Sequence, residues 1–378
     1  MKENLKEITA ALSAWYEQNA RTLPWRQTLD PYRIWISEII LQQTRVEQGL
    51  PYFERFMIFF PNVQALADSS EEKVLNAWQG LGYYSRARNL HAAAKFIATN
   101  LQGKFPDNYD DLIQLKGVGP YTAAAIASFA FGEKKAVVDG NVYRVLSRLF
   151  DNDLPINEPK GQKAFQQLAN ELLDAAPDAA LHNQAMMEFG ALQCTPKKPA
   201  CLWCPLKKHC LAYQNQTIAE RPVKIKKIKK RDRYFNYILF YTKHKEKLVI
   251  QQRKEKDIWQ QLFQLPLVEW MKGQEGFGKE EARLFFEVPM EKVFQERLIS
   301  AIKKEFNQKL DDTQLNYLGK KKHLLTHQNL YTKFYGVELP PDILNDFDNE
   351  YLVVKEDQWK TFAFPKVIES FLMHFFEK

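Results

Sequence analysis

Cys194-Thr195-Pro196-Lys197-Lys198-Pro199-Ala200-Cys201-Leu202-Trp203-Cys204-Pro205-Leu206-Lys207-Lys208-His209-Cys210 contains every cysteine of this 378-residue chain. The spacing is C-x6-C-x2-C-x5-C, tight enough for a single loop to wrap one metal centre. Disulfides fit poorly: the N-terminus does not read as a secretory leader, and the chain is far larger than the small cores that need stapling. A structural zinc site usually pairs two C-x2-C knuckles across a long hairpin, whereas here one such knuckle is flanked by two single cysteines. Four thiolates on one loop suit a 4Fe-4S cluster better, with zinc as the alternative. Such loops are structural or electron-carrying, so this one by itself names no reaction.

Outward from the loop, composition sets the frame. The length points to two or three domains, and 45% hydrophobic residues are ample for real cores. Met1 to Glu7 opens an amphipathic helix with Leu5, Ile8, Leu12 and Trp15 on one stripe. The most apolar run, Ala123 to Phe131, is too short to span a bilayer. With unpaired cysteines, a bacterial-type cytoplasm is the expected compartment.

The formal charge is +7, and its location says more than its size. Between Arg221 and Arg233 stand eight Lys and Arg against the single acid Asp232, so the remainder of the chain sums to zero. The run reads as a linker, a self-repelling tether that can also meet phosphates.

Before that linker the pattern is helical. Pro31 to Gln48, Glu71 to Gln79, Ser85 to Asn100, Tyr121 to Phe131, Asn141 to Phe150 and Pro159 to Ala176 carry apolar residues at three- and four-residue intervals. After it, Tyr234 to Lys243, Lys247 to Gln252, Leu330 to Leu339 and Tyr351 to Val354 are rich in β-branched and aromatic residues. Helical patterns at Val293 to Phe306 and Phe364 to Phe376 interrupt them, so this part reads as α+β.

Three positions stand out chemically. Leu115-Lys116-Gly117-Val118-Gly119-Pro120 lies between two helical patterns: its glycines allow close backbone approach, and the N-terminus of the helix opening at Pro120 favours an anion such as a DNA phosphate. An ordinary helix-helix turn is the plain alternative. Glu38 sits on an apolar helical stripe, either paired with a cation such as Arg45 or held in an apolar pocket with a raised pKa. Asp139, before Gly140 and a clear helix, has the placement of an N-cap.

Several segments together resemble the adenine DNA glycosylases, the MutY family of the endonuclease III superfamily. They are Leu23-Pro24-Trp25-Arg26, the run from Trp35 to Thr44, Gly80-Leu81-Gly82-Tyr83-Tyr84-Ser85-Arg86, Leu115 to Ala123, Val138 to Val145, and Asn183 to Cys194. The likeness covers nearly the whole chain, in the family's order. It implies a multidomain protein: an all-α helix-hairpin-helix glycosylase domain with a 4Fe-4S cluster loop, followed by an α+β Nudix-like domain. The expected boundaries are a catalytic region over 1–216, a basic linker over 217–233 and a recognition domain over 234–378. Within the first, 28–133 forms the helix-hairpin-helix subdomain, and 1–27 with 134–216 the iron-sulfur subdomain. No clustered run of Arg and Glu, as a hydrolysing Nudix enzyme needs to hold its metal, is visible in the last.

By this resemblance Glu38 and Asp139 are the catalytic carboxylates, a pairing of unequal environments suited to an oxocarbenium-like transition state. Tyr121 and Asn141 orient the site. Bifunctional relatives carry a lysine where Tyr121 stands, and a tyrosine cannot form a Schiff base; Lys116 and Lys134 nearby leave weak lyase activity open. Gln42, Gln43, Thr44, Leu81, Tyr83, Gly117, Val118 and Gly119 are the expected DNA contacts. His323, Thr326 and His327 are the expected lesion readers, in a loop where the family usually has Phe-Ser-His and this chain has Leu325-Thr326-His327. Cys194, Cys201, Cys204 and Cys210 would hold the cluster. The implied activity is monofunctional excision of adenine opposite 8-oxoguanine or guanine in double-stranded DNA, by a monomer that binds no membrane. A bifunctional glycosylase/lyase and a non-catalytic iron-sulfur DNA-binding or electron-transfer protein are the competing readings.

Overall fold

The computed structural model of the chain describes residues 2–225, 230–272, 277–278, 281–282, 285, 287, 292–306, 314–341, 347 and 350–377. Contacts divide it into two units, Met1–Ser69 with Arg88–Lys226, and Ser70–Ala87 with Lys227–Lys378.

The first unit is helical. Helices α1 (Lys2–Asn19), α9 (Gly140–Leu149), α10 (Pro159–Ala175) and α11 (Ala179–Leu192) pack around Leu5, Ile8, Leu12, Phe165, Leu172 and Phe189. The stripe on α1 continues to Tyr16, which is buried, while Trp15 only half enters the core and meets Phe189 edge-on. Helices α2 (Pro31–Leu41) and α8 (Pro120–Phe131) lie against each other and are buried almost throughout. The run of alanines in α8 explains this placement, since small side chains on every face let a helix sit inside a protein. No helix among the described residues is long and apolar enough to cross a membrane.

The helix expected over Pro31 to Gln48 is two helices. α2 ends at Leu41, Gln43 adopts a left-handed backbone with φ 61°, and α3 runs over Val46–Phe59. No glycine or proline marks the break, so an apolar period reads straight through it. Arg45 therefore caps α3 instead of lying one turn beyond Leu41, and it is exposed.

Of the expected linker, residues 226–229 lie outside the described residues. The chain before them is held: Arg221 Nε lies 2.9 Å from Asp151 Oδ1, Ile156 N–H donates to Val223 O at 3.0 Å, and the Asn157 amide both donates to and accepts from the backbone of Ile225. Arg231 to Arg233 already belong to strand β1. The basic run is thus not a free tether where it is described.

The second unit contains α5 (Glu71–Ala77), the turn after it, and a mixed sheet. Strands β1 (Arg231–Tyr241), β2 (Lys247–Gln252), β3 (Phe263–Gln264), β4 (Leu267–Trp270), β5 (Asn316–Leu324), β6 (Gln328–Glu338) and β7 (Tyr351–Lys355) form it, with central order β3-β2-β1-β6-β5. β1 runs parallel to β6, and β5 and β6 form an antiparallel hairpin. Alternate residues of β1 serve different cores: Tyr234, Ile238 and Phe240 face the side of α13 (Lys292–Phe306), and Phe235, Tyr237 and Leu239 that of α14 (Lys366–Phe376). Burial on both faces is why β1 reads as a continuous apolar run. Strand β5 lacks an apolar strand pattern because Lys320, Lys321 and Lys322 interrupt it; as an edge strand it can expose them. The carboxylates on the described part of α13, Glu296 and Glu305, lie about two and a half turns apart and do not cluster.

Candidate active site

Glu38 is placed by the start of its helix. Asp30 caps α2 by accepting from Tyr32 N at 2.9 Å, Pro31 fills the first helical position, and Glu38 follows two turns on, 5% exposed. Its carboxyl faces a cavity of about 620 Å3 inside the first unit. Tyr121, in the first turn of α8, donates its hydroxyl hydrogen to Glu38 Oε2 at 2.6 Å. Burial pushes the Glu38 carboxyl up to about 7, the Tyr121 hydrogen bond pulls the other way, and the charge of Asp139 adds to the rise.

Asp139 caps α9, as its position before Gly140 suggests, and it also lines the same cavity. Its Oδ1 accepts from Val142 N at 2.7 Å and its Oδ2 from Asn141 Nδ2 at 2.8 Å. Burial raises its pKa, while those donors favour the ionised form. The two carboxyls thus differ in kind: Glu38 is desolvated with one hydroxyl partner, and Asp139 is held by a helix N-terminus. Arg144 orients Asn141 by donating from Nη2 to Asn141 Oδ1 at 2.8 Å; it also reaches Gly190 O at 2.6 Å and Cys194 O at 2.8 Å.

The structure adds wall residues to which the sequence reading gave no role. Trp25 and Arg26 come from the turn before α2, and Gln184 and Glu188 from α11. Tyr16 donates to Gln184 Oε1 at 2.8 Å, fixing which end of that amide points where. Far apart in the chain, positions 25 and 188 come to one cavity only through the fold.

Gln42 donates from Nε2 to Thr122 Oγ1 at 3.3 Å, while Gln43 is exposed and lines the cavity with Thr44. None of the three continues α2. A left-handed glutamine is strained, and such strain concentrates at functional positions. In the hairpin, Gly117 has φ 81° and a Cβ there would lie 2.6 Å from Asn89 Cβ, so only glycine fits. Val118 N–H donates to Leu115 O at 3.0 Å, and Gly119 caps α8 without a side-chain partner for its first N–H groups.

The remaining expected contacts belong to the second unit. Tyr83 has φ 49°, is 47% exposed, and its hydroxyl is hydrogen-bonded to that of Thr326. Arg86 lies 5.4 Å from the rings of both Tyr83 and Trp78 and donates to the carbonyls of Leu81 and Gly82. Leu81 itself is buried. Thr326 and His327 are exposed in the β5–β6 turn, closed by Leu325 N–H to Gln328 O at 2.8 Å. His323 lies on β5 itself, its ring 5.9 Å from that of Trp259, and burial lowers its pKa.

Cys194, Cys201, Cys204 and Cys210 line one small cavity of about 30 Å3, walled by Val145, Leu149 and Phe189. Among the described residues no group of three or more His, Cys, Asp or Glu is placed to hold a metal ion. Burial pushes the Cys204 thiol up to about 12 and raises those of Cys201 and Cys210. Arg148 donates to Cys194 Sγ at 3.4 Å and to the carbonyls of Thr195 and Pro196. An all-sulfur donor set beside a guanidinium fits an anionic metal–thiolate centre, with Cys194, Cys201, Cys204 and Cys210 as the residues that would hold it.

Residues 36–172 match the HhH-GPD superfamily of base excision DNA repair proteins, and residues 237–374 match the NUDIX domain. A solved thermostable thymine-DNA glycosylase is 29% identical with a TM-score of 0.52, over 56% of this chain and 98% of that one. Fold and site thus define a helix-hairpin-helix protein of base excision repair joined to a Nudix-like domain. The adenine DNA glycosylase of Buchnera aphidicola subsp. Baizongia pistaciae (strain Bp) is 35% identical over 322 residues, 84% of this chain and 82% of that protein. That of Buchnera aphidicola subsp. Schizaphis graminum (strain Sg) is 38% identical over 268 residues, 68% of this chain and 76% of that protein. The chain belongs to the adenine DNA glycosylase family.

Proposed function

We propose that the chain hydrolyses the N-glycosidic bond of adenine mispaired with 8-oxoguanine, or with guanine, in duplex DNA. The observation that carries this is the Glu38–Tyr121 hydrogen bond in the cavity that Asp139 also lines. Adenine swings out of the stack into that cavity. Glu38, protonated near neutrality, gives its proton to N7, so the base leaves neutral. Asp139, ionised against the α9 N-terminus, stabilises the oxocarbenium-like sugar, and Glu38 then activates water. Tyr121 and Asn141 keep the two carboxyls in place.

Tyr121 supports a monofunctional reaction, because no amine stands at that position to form an imine. We assign the four cysteines to a 4Fe-4S cluster, which when bound supplies a cross-link for the 194–210 loop and takes part in no step. The hairpin at Gly117–Gly119 holds a DNA phosphate, Gln43 and Tyr83 fill the gap left by the flipped base, and Thr44 and Leu81 meet its partner. Thr326, His327 and His323 read the lesion, with the Nudix-like domain as a binding module. Single-turnover excision on an adenine:8-oxoguanine duplex tests the assignment: wild type should cleave and Glu38→Gln should not. Normal excision by that variant would overturn it.

A further inference from the structure

Glu188 lies in α11 with its side chain 1% exposed, and it holds two arginines from the segment before α2. Arg21 donates to it from its backbone N at 3.0 Å, from Nε at 2.8 Å and from Nη2 at 2.7 Å. Arg26 donates from Nη2 to Glu188 Oε2 at 2.8 Å, and from Nη1 to Arg21 O at 3.3 Å. All three residues line the cavity into which Glu38 points. One carboxylate against two guanidiniums leaves one surplus positive charge in that wall. Burying Glu188 against Arg26 and the partly exposed Arg21 is costly, and a tie between α11 and this segment needs no charge. What only charge provides is a potential at the neighbouring carboxyl.

We propose that Glu188 is a positioning residue for the acid step: by pairing Arg26 and Arg21 it fixes Arg26 in the cavity wall and offsets its charge, so that Glu38 keeps its proton. The inference rests on Glu38 being the general acid. The groups that bear on Glu38 are Tyr121 from α8, Asp139 at the start of α9 and Arg26 from the turn before α2, and the last favours the ionised form. The cavity also carries Arg45 and Glu47 at the start of α3 and Arg144 from α9. Glu47 touches Arg21 at 3.4 Å with its side chain 76% exposed, so solvent screens it, and Arg144 is engaged by Asn141.

The test is the single-turnover excision rate against pH for the full-length, metal-loaded protein on an adenine:8-oxoguanine duplex. Glu188→Gln keeps size and can still accept from either arginine, but raises the surplus from one positive charge to two. Its alkaline limb should move to lower pH by on the order of 0.5 to 1 unit. Arg26→Gln removes the surplus, and its limb should move to higher pH by a similar amount. A purely structural tie would slow both variants without displacing their limbs in opposite directions. Unmoved limbs, or both moved the same way, overturn the proposal. If Glu188→Gln does not fold, the Arg26→Gln limb decides alone, and its failure to rise counts against the inference. Glu38→Gln is the control: if it excises adenine normally, the general-acid reading fails first, whereas an inactive Glu38→Gln with unmoved limbs elsewhere defeats only the role of Glu188.

Discussion

Tyr121 and Glu38, 83 residues apart, share a 2.6 Å hydrogen bond between α8 and α2. The phenol donates to a carboxyl that burial already holds near the neutral form. In the proposed reaction the same bond would position the acid, and by resemblance the phenol stands where bifunctional relatives present an amine.

Glu38→Gln should lower excision by about 10^2- to 10^4-fold with mismatch binding retained, read by single-turnover kinetics and gel shift. It should also change stability with a definite sign. A carboxyl raised to about 7 in the fold from 4.5 stabilises the protein below 4.5, and that contribution is lost as pH rises through 7. The loss is on the order of 3 kcal/mol. The variant should therefore melt above wild type at pH 8, with the gap closing towards pH 4.5. Equal pH dependence of the two melting curves would contradict a buried, neutral Glu38.

Asp139 caps α9 and, in the proposed reaction, also supplies a charge, and substitution separates the two. Asparagine still accepts from Val142 N–H and caps α9, so Asp139→Asn should fold normally yet lose about 10^2- to 10^3-fold in excision for want of charge. Asp139→Ala should lose both, with stability lower by about 1 kcal/mol in chemical denaturation. Full activity in Asp139→Asn would leave the residue only its capping duty.

Borohydride trapping on substrate DNA should be weak in wild type, since Tyr121 supplies no amine. Lys116 and Lys134 are the nearby lysines in sequence. Strong trapping with strand cleavage would mean that a lysine does the chemistry denied to Tyr121.

Purified protein should be yellow-brown, with iron and acid-labile sulfide in about a four-to-four ratio. Cys204→Ser should lose colour and iron together, followed by absorbance and metal analysis. Stoichiometric zinc without iron in protein prepared anaerobically would refute the cluster assignment.

Thr326→Ala should weaken the preference for 8-oxoguanine over guanine opposite adenine by ~1 to 3 kcal/mol, measured as a ratio of binding constants. Because Thr326 is bonded to Tyr83, Tyr83→Phe should show non-additivity with it in a double-mutant cycle. Strict additivity would mean that the two hydroxyls act independently on DNA.

What the sequence determined by itself is local. The cysteine spacing, the glycine hairpin, the capping position of Asp139 and the change from helical to strand periodicity are all set within a few residues of one another. Short-range sterics and hydrogen bonding govern such features, so they can be read along the chain. Tertiary structure decided what depends on approach between distant segments: whether Glu38 found a cation or a hydroxyl, that Asp139 both caps a helix and lines the cavity, and that Arg21, Arg26 and Glu188 meet. It also ended α2 at Leu41, where the apolar period runs on unchanged. Desolvation sets the charge state of a carboxyl, and desolvation is a property of the packed walls around it, which no window of sequence contains.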